Sequence, residues 1–143
     1  MSADGSVTLF WGDAEHKFRM AIGQFRELQE NVNKRRIAIG AAPIGPMTLI
    51  NSLRANDAWP DDVRDILRLG LNGGGMEPKE THRLLGHYFD GKPPLPHMRP
   101  AFIVLFAGLA GDPGDTPDDG AKKKTETTTS RSASGKSTAR EPR

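Results

Sequence analysis

The sequence contains no cysteine, which removes disulfides, thiolate metal ligands and thiol nucleophiles together and leaves packing as the source of stability. It has no apolar run approaching the roughly 18–20 residues that a bilayer-spanning helix needs. The opening "MSADGSVTLFW" lacks the basic residues and following apolar stretch of a signal peptide. A soluble protein without membrane contact is expected. Neither sign of charge dominates, the formal net charge being +2. Aromatic residues are few, and the last of them is Phe106. With 143 residues the chain suits one small domain of about 100–150 residues, without room for a second core.

What is present divides at residue 112. From Asp112 the chain reads "DPGDTPDDGAKKKTETTTSRSASGKSTAREPR", whose apolar residues are only Ala121, Ala133 and Ala139. Such a segment cannot offset its ordering entropy by burial, so residues 112–143 are expected to form a disordered charged tail. Its first part is acidic, with Asp112, Asp115, Asp118 and Asp119. From Gly120 onward seven bases (Lys122, Lys123, Lys124, Arg131, Lys136, Arg140 and Arg143) face only Glu126 and Glu141. Clustered Lys and Arg can contact phosphates, but without interleaved aromatics for base stacking a solvated tail is the better reading and nucleic acid is disfavoured. "SGKST", Ser134 to Thr138, imitates the end of a phosphate-binding loop, yet Ser130 stands where the first glycine belongs.

Residues 1–111 must hold the fold. Val7, Leu9 and Trp11 alternate, Gly12-Asp13 breaks the run, and His16, Phe18 and Met20 alternate again. This pattern predicts a hairpin with one apolar face and Lys17 and Arg19 toward water. "IGQFRELQENVNKRR" spaces Ile22, Phe25, Leu28 and Val32 for one side of a helix. "IAIGAAPIGP" interrupts regular structure before a short helix near Pro46 that buries Met47, Ile50 and Leu53.

In "DDVRDILRLGLNGGGM", Pro60 suits a first helical turn, and Asp61 and Asp62 complement the positive end of its dipole. Val63, Ile66, Leu67 and Leu71 form a stripe, with Gly70 on the same side permitting close approach of a neighbour. Gly73, Gly74 and Gly75 could be a phosphate cradle or a helix stop. A cradle precedes a helix, follows a buried strand and carries Lys. These glycines follow a helix and Glu77 stands nearby, so they read as a stop and a flexible corner. Pro78 opens a further helix with Leu84, Leu85, Tyr88 and Phe89. "MRPAFIVLFAGLAG" is apolar on nearly all sides, which predicts the central helix of the core or a helix whose extra face a partner covers. On that second option Phe102, Ile103, Leu105 and Phe106 are the candidate partner-binding residues. The expected fold class is α+β: an N-terminal β-hairpin packed on a small bundle of about five helices, followed by the disordered tail.

Catalytic chemistry finds no foothold. His82 and His87 are five apart and point to different helix faces, whereas metal-binding pairs on one helix are separated by about three or four. His16 and His97 stand alone, and no nucleophile elbow is present. No enzyme, metal or cofactor is expected.

"VTLFWGDAEHKFRMAIGQFRELQE" and "WPDDVRDILRLGLNGGGM" resemble the small tail proteins of gene transfer agents and related siphophages, a family labelled both tail tube protein and tail assembly chaperone. The motif residues are Gly12-Asp13, Arg26-Glu27-Leu28-Gln29, Pro60 with Asp61-Asp62-Val63-Arg64, and Gly70 to Gly75, within a resemblance covering most of residues 6–110. "NKRRIAIGAAPIG" departs from the family pattern by being longer or more basic. The resemblance implies a chaperone that binds the tape measure protein and recruits tail tube protein, acting in the cytoplasm of the bacterial host during particle assembly, with self-association as a further option. The alternatives are a structural tail tube subunit in the virion tail, for which the single clear hairpin is too little strand, and a nucleic-acid module acting through the basic tail.

Overall fold

The computed structural model describes residues 2–111; the expected disordered tail, 112–143, lies outside the described residues. Two strands, β1 (Ser6–Trp11) and β2 (Ala14–Arg19), pair antiparallel with Val7 opposite Phe18 and Trp11 opposite Ala14. Five helices follow: α1 (Ile22–Ala38), α2 (Pro46–Arg54), α3 (Pro60–Gly73), α4 (Pro78–Tyr88) and α5 (Met98–Ala110), with a 3-10 turn at Leu95–His97 before the last. The expected hairpin on about five helices is therefore the observed architecture.

The hairpin forms because a strand rich in β-favouring residues, Val7, Thr8, Phe10 and Trp11, leads into a two-residue loop in which Gly12 takes a φ of +70°. Position 12 is constrained twice, since a Cβ there would also lie 2.9 Å from the Tyr88 ring. Val7, Trp11, Phe18 and Met20 are buried on the inner face, while Leu9 is half-buried opposite His16. Lys17 is exposed and Arg19 half-exposed, as the alternation requires.

Helix α3 is the hub, packing against β2, α1, α4 and α5. Its buried stripe is Val63, Ile66, Leu67, Leu69, Gly70 and Leu71. The close approach expected at Gly70 is real: a Cβ there would lie 2.8 Å from Val104 Cγ1 and 3.1 Å from Phe18 Cδ2. Helix α5 crosses the same layer with Met98, Ala101, Val104, Leu105 and Ala107 buried. It is the central helix of the first expectation, although Phe102, Ile103 and Phe106 keep part of their surface.

Two expectations about helix faces need correction. Ile22, assigned to the packed side of α1, is 66 % exposed at the first residue of that helix, while Phe25 one turn on packs against the core. Met47 is 52 % exposed, and Leu49 takes its place beside Ile50 and Leu53. The periodic stripe of so short a helix tolerates a shift of one position, and α5 selects the face.

The triple glycine stops α3 and opens the corner that leads to α4 at Pro78. Gly73 is still helical, Gly74 closes the helix at φ −79°, and Gly75 alone takes a positive φ, +111°. A Cβ on Gly73 would collide with the carbonyl oxygen of Arg19, and one on Gly74 with that of Lys17. These two glycines let the end of α3 press against the outer edge of β2.

Candidate functional site

The motif residues behind the family resemblance sit at structural joints. Asp62, together with Asp65, receives the Arg35 guanidinium of α1, each at 2.7 Å. Val63 is fully buried, and Arg64 makes a two-point contact with Asp90 at 2.9 and 3.0 Å. That guanidinium holds the Asp90 carboxyl below the usual carboxylate range. Asp61 is exposed in the first turn of α3, after Pro60. Glu27 reaches Arg68 at 2.9 Å, and Leu28 enters the core. Asn72 accepts the Thr81 hydroxyl at 2.6 Å, tying the glycine turn to α4. Asp13, in the hairpin turn, is paired with His16 at 2.9 Å. Pro60, Gly70, Gly73, Gly74 and Gly75 likewise serve the fold, and no two of these motifs converge on a reaction centre.

The histidines remain scattered. His16 belongs to the hairpin turn, while His82 and His87 are exposed on α4. His97 is half-buried, and its Nδ1 accepts the Trp11 Nε1–H at 3.0 Å. An indole N–H can only donate, so Nδ1 carries no proton and the ring is neutral. Burial lowers the pKa of His97. Among the described residues, no group of three or more His, Asp or Glu could hold a metal ion.

One feature of the described residues with room for a ligand is a groove between α1, the start of α2 and the end of α5. Leu28, Val32 and Leu49 form its floor, with Phe25 and Ile44 beside them, and Ile22 and Leu109 stand at its rim. Its open volume is about 400 Å³. The Asn33 side chain holds the α1–α2 connection against it, donating to the Ile44 carbonyl at 3.3 Å and accepting the Ile44 N–H at 2.8 Å. Gln29 and Asn33 are the polar side chains in the lining, which includes no charged residue. Such a lining attracts apolar side chains and has nothing to orient a charged metabolite.

Of the four candidate partner residues, Leu105 is fully buried and cannot meet a partner while α5 stays packed. Phe102 and Phe106 stack at 5.8 Å between centroids, and the Arg54 guanidinium lies 5.5 Å from the Phe102 ring. Those two phenyl rings and Ile103 retain exposed surface on α5. The groove itself was not foreseen, because "IAIGAAPIGP" reads only as a break, and its folding back onto α1 depends on one asparagine 11 positions away from Ile44.

Residues 4–111 match the model of the family described as "Phage tail tube protein, GTA-gp10". The chain belongs to this family. No curated protein and no solved structure matches it. The matched span takes in every described element from β1 to α5. Membership places the chain among phage and gene transfer agent tail proteins, which work among other tail components. Among the described residues no helix is long and apolar enough to cross a membrane.

Proposed function

We propose that the chain is a non-enzymatic tail assembly chaperone, which holds apolar helical segments of the tape measure protein and recruits tail tube subunits to it. The supporting observation is the open, uncharged, apolar groove on a mostly helical domain. An amphipathic helix inserts a row of side chains into such a surface at intervals of three and four residues. The half-exposed aromatic pair on α5 adds a second apolar strip. The chaperone acts in the host cytoplasm and leaves before the particle is complete.

Proteomics of purified particles tests the proposal: the protein should be absent or far below the level of tube subunits. Stoichiometric presence would reject the chaperone role. A matching binding experiment replaces Ile22 and Leu109 at the groove rim with glutamate, which should abolish co-purification with the tape measure protein and leave the fold intact.

A structural tail tube subunit is the second reading, favoured by the wording of the family description. Tube rings are built from extensive sheet, and the described residues contain one two-stranded hairpin.

A further inference from the structure

The two edges of the hairpin are treated differently. The β2 edge is covered by the end of α3 at Gly73 and Gly74, and its outer-face residues are the charged Glu15, Lys17 and Arg19. Strand β1, by contrast, reads Ser6-Val7-Thr8-Leu9-Phe10-Trp11: no charge, no proline, and an uninterrupted register without a bulge. Edge strands are ordinarily guarded by one of those devices, because an unguarded edge invites another strand.

Hydrogen bonds near the N-terminus reveal which backbone groups that edge presents. The Ser6 N–H donates to Asp4 Oδ1 at 2.9 Å, and the Ser6 carbonyl accepts the Ser2 N–H at 2.8 Å. Both groups of Ser6 therefore point away from β2. By the alternation of an antiparallel pair, the N–H and C=O groups of Thr8 and Phe10 point the same way. Ser6 is capped by the preceding turn, whereas no described residue bonds these groups of Thr8 or Phe10. Phe10 is also 71 % exposed on the outer face, opposite Glu15.

The geometry points to pairing of this edge with β1 of a second copy, antiparallel about a two-fold axis through Leu9. In that register Thr8 lies opposite Phe10 of the second copy, Leu9 opposite Leu9, and Phe10 opposite Thr8. The exposed N–H and C=O groups of both strands then satisfy one another, and the two hairpins become one four-stranded sheet. Two features favour a second copy as occupant. The strand is free of charge, so identical strands meet without repulsion. The open groups are also centred on Leu9, so the twofold register pairs all of them. Each outer face gains a Phe10–Thr8 contact, a cross-strand pair of aromatic and β-branched residues. The contact is small, so the dimer forms in a concentration-dependent way. This pairing is independent of whether the groove binds the tape measure protein.

Sedimentation of the full chain across micromolar to millimolar concentration tests the proposal, with Thr8→Pro and Phe10→Lys as variants. Proline at position 8 removes an outward N–H that the monomer does not use, leaving the bonds between β1 and β2 in place. Lysine at position 10 faces Glu15 within the monomer and places charge on the edge. Wild type should move from monomer toward dimer, and Thr8→Pro should weaken association about tenfold or more by deleting one bond from each copy. Phe10→Lys should weaken it as well. Far-ultraviolet circular dichroism and thermal melts confirm that both variants fold. A wild-type monomer throughout, or association unchanged in both folded variants, overturns the proposal. So would a monomer whose Thr8 and Phe10 amides gain exchange protection only when another tail protein is added.

Discussion

Gly73 and Gly74 show how a single hydrogen in place of a methyl fixes the spacing of two elements. Because a Cβ at either position meets a β2 carbonyl rather than a movable side chain, the strand or the helix must shift to admit it. Gly73→Ala is expected to cost about 1–3 kcal/mol, the usual range for overpacking. Gly86, in α4 with open space around it, gives the contrasting case. Gly86→Ala should stabilise by about 0.4–1 kcal/mol through the unfolded chain. Urea titrations of the two variants check both expectations. At His97, burial lowers the folded-state pKa below the ordinary value, so the unfolded chain binds more protons in the window beneath about 6.5. The stabilising contribution of the neutral ring is therefore fully present above that pH and is lost as pH falls through the folded-state pKa. His97→Gln, which keeps an acceptor for the Trp11 N–H, should remove this part of the pH dependence. Midpoints measured from pH 8 to pH 5 would show whether it does.

Between elements, the α1–α3 contact depends on Arg35 bridging Asp62 and Asp65, both carboxylates being largely covered. Removing the guanidinium leaves two partly buried carboxylates beside each other, and Arg35→Met is expected to cost about 1–3 kcal/mol. The exposed Arg83–Glu80 pair on α4 is different, since solvent screens it and a single helix holds both partners. Arg83→Ala should leave the unfolding midpoint unchanged. Chemical denaturation of both variants, repeated at high salt, separates the two kinds of ion pair. These joints also explain why the family motifs were legible as helix starts and stops. Asp61 and Asp62 follow Pro60 at an N-terminus, and that local chemistry is visible in the sequence. The engagement of Asp62 by Arg35, 27 residues away, is not, because it depends on how two helices cross.

For the whole molecule, all the buried apolar side chains of the described core fall between Val7 and Ala107, and the family match ends at residue 111. Truncation after Gly111 is therefore expected to leave the thermal midpoint of the domain unchanged, as calorimetry can show. The same pair of proteins tests the basic tail. If residues 112–143 contact nucleic acid, the full chain binds DNA with an affinity that falls as salt rises, and the truncated chain does not. Absence of salt-sensitive binding by the full chain ends that reading.

The sequence by itself determined the elements: the hairpin from alternation about Gly12-Asp13, and the helices from 3.6-residue periodicity bounded by Pro46, Pro60, Pro78 and the glycines. These are local properties, set by backbone sterics and by which residues repeat on one face. Tertiary structure alone decided that Ile22 and Met47 stay in solvent, that Leu105 is sealed while Phe102 and Phe106 are not, and that Gly73 and Gly74 abut β2. It also created the groove, which exists only where α1, α2 and α5 meet. Burial and close approach are properties of pairs of elements, and no pattern within one element specifies which partner it will meet or at what angle.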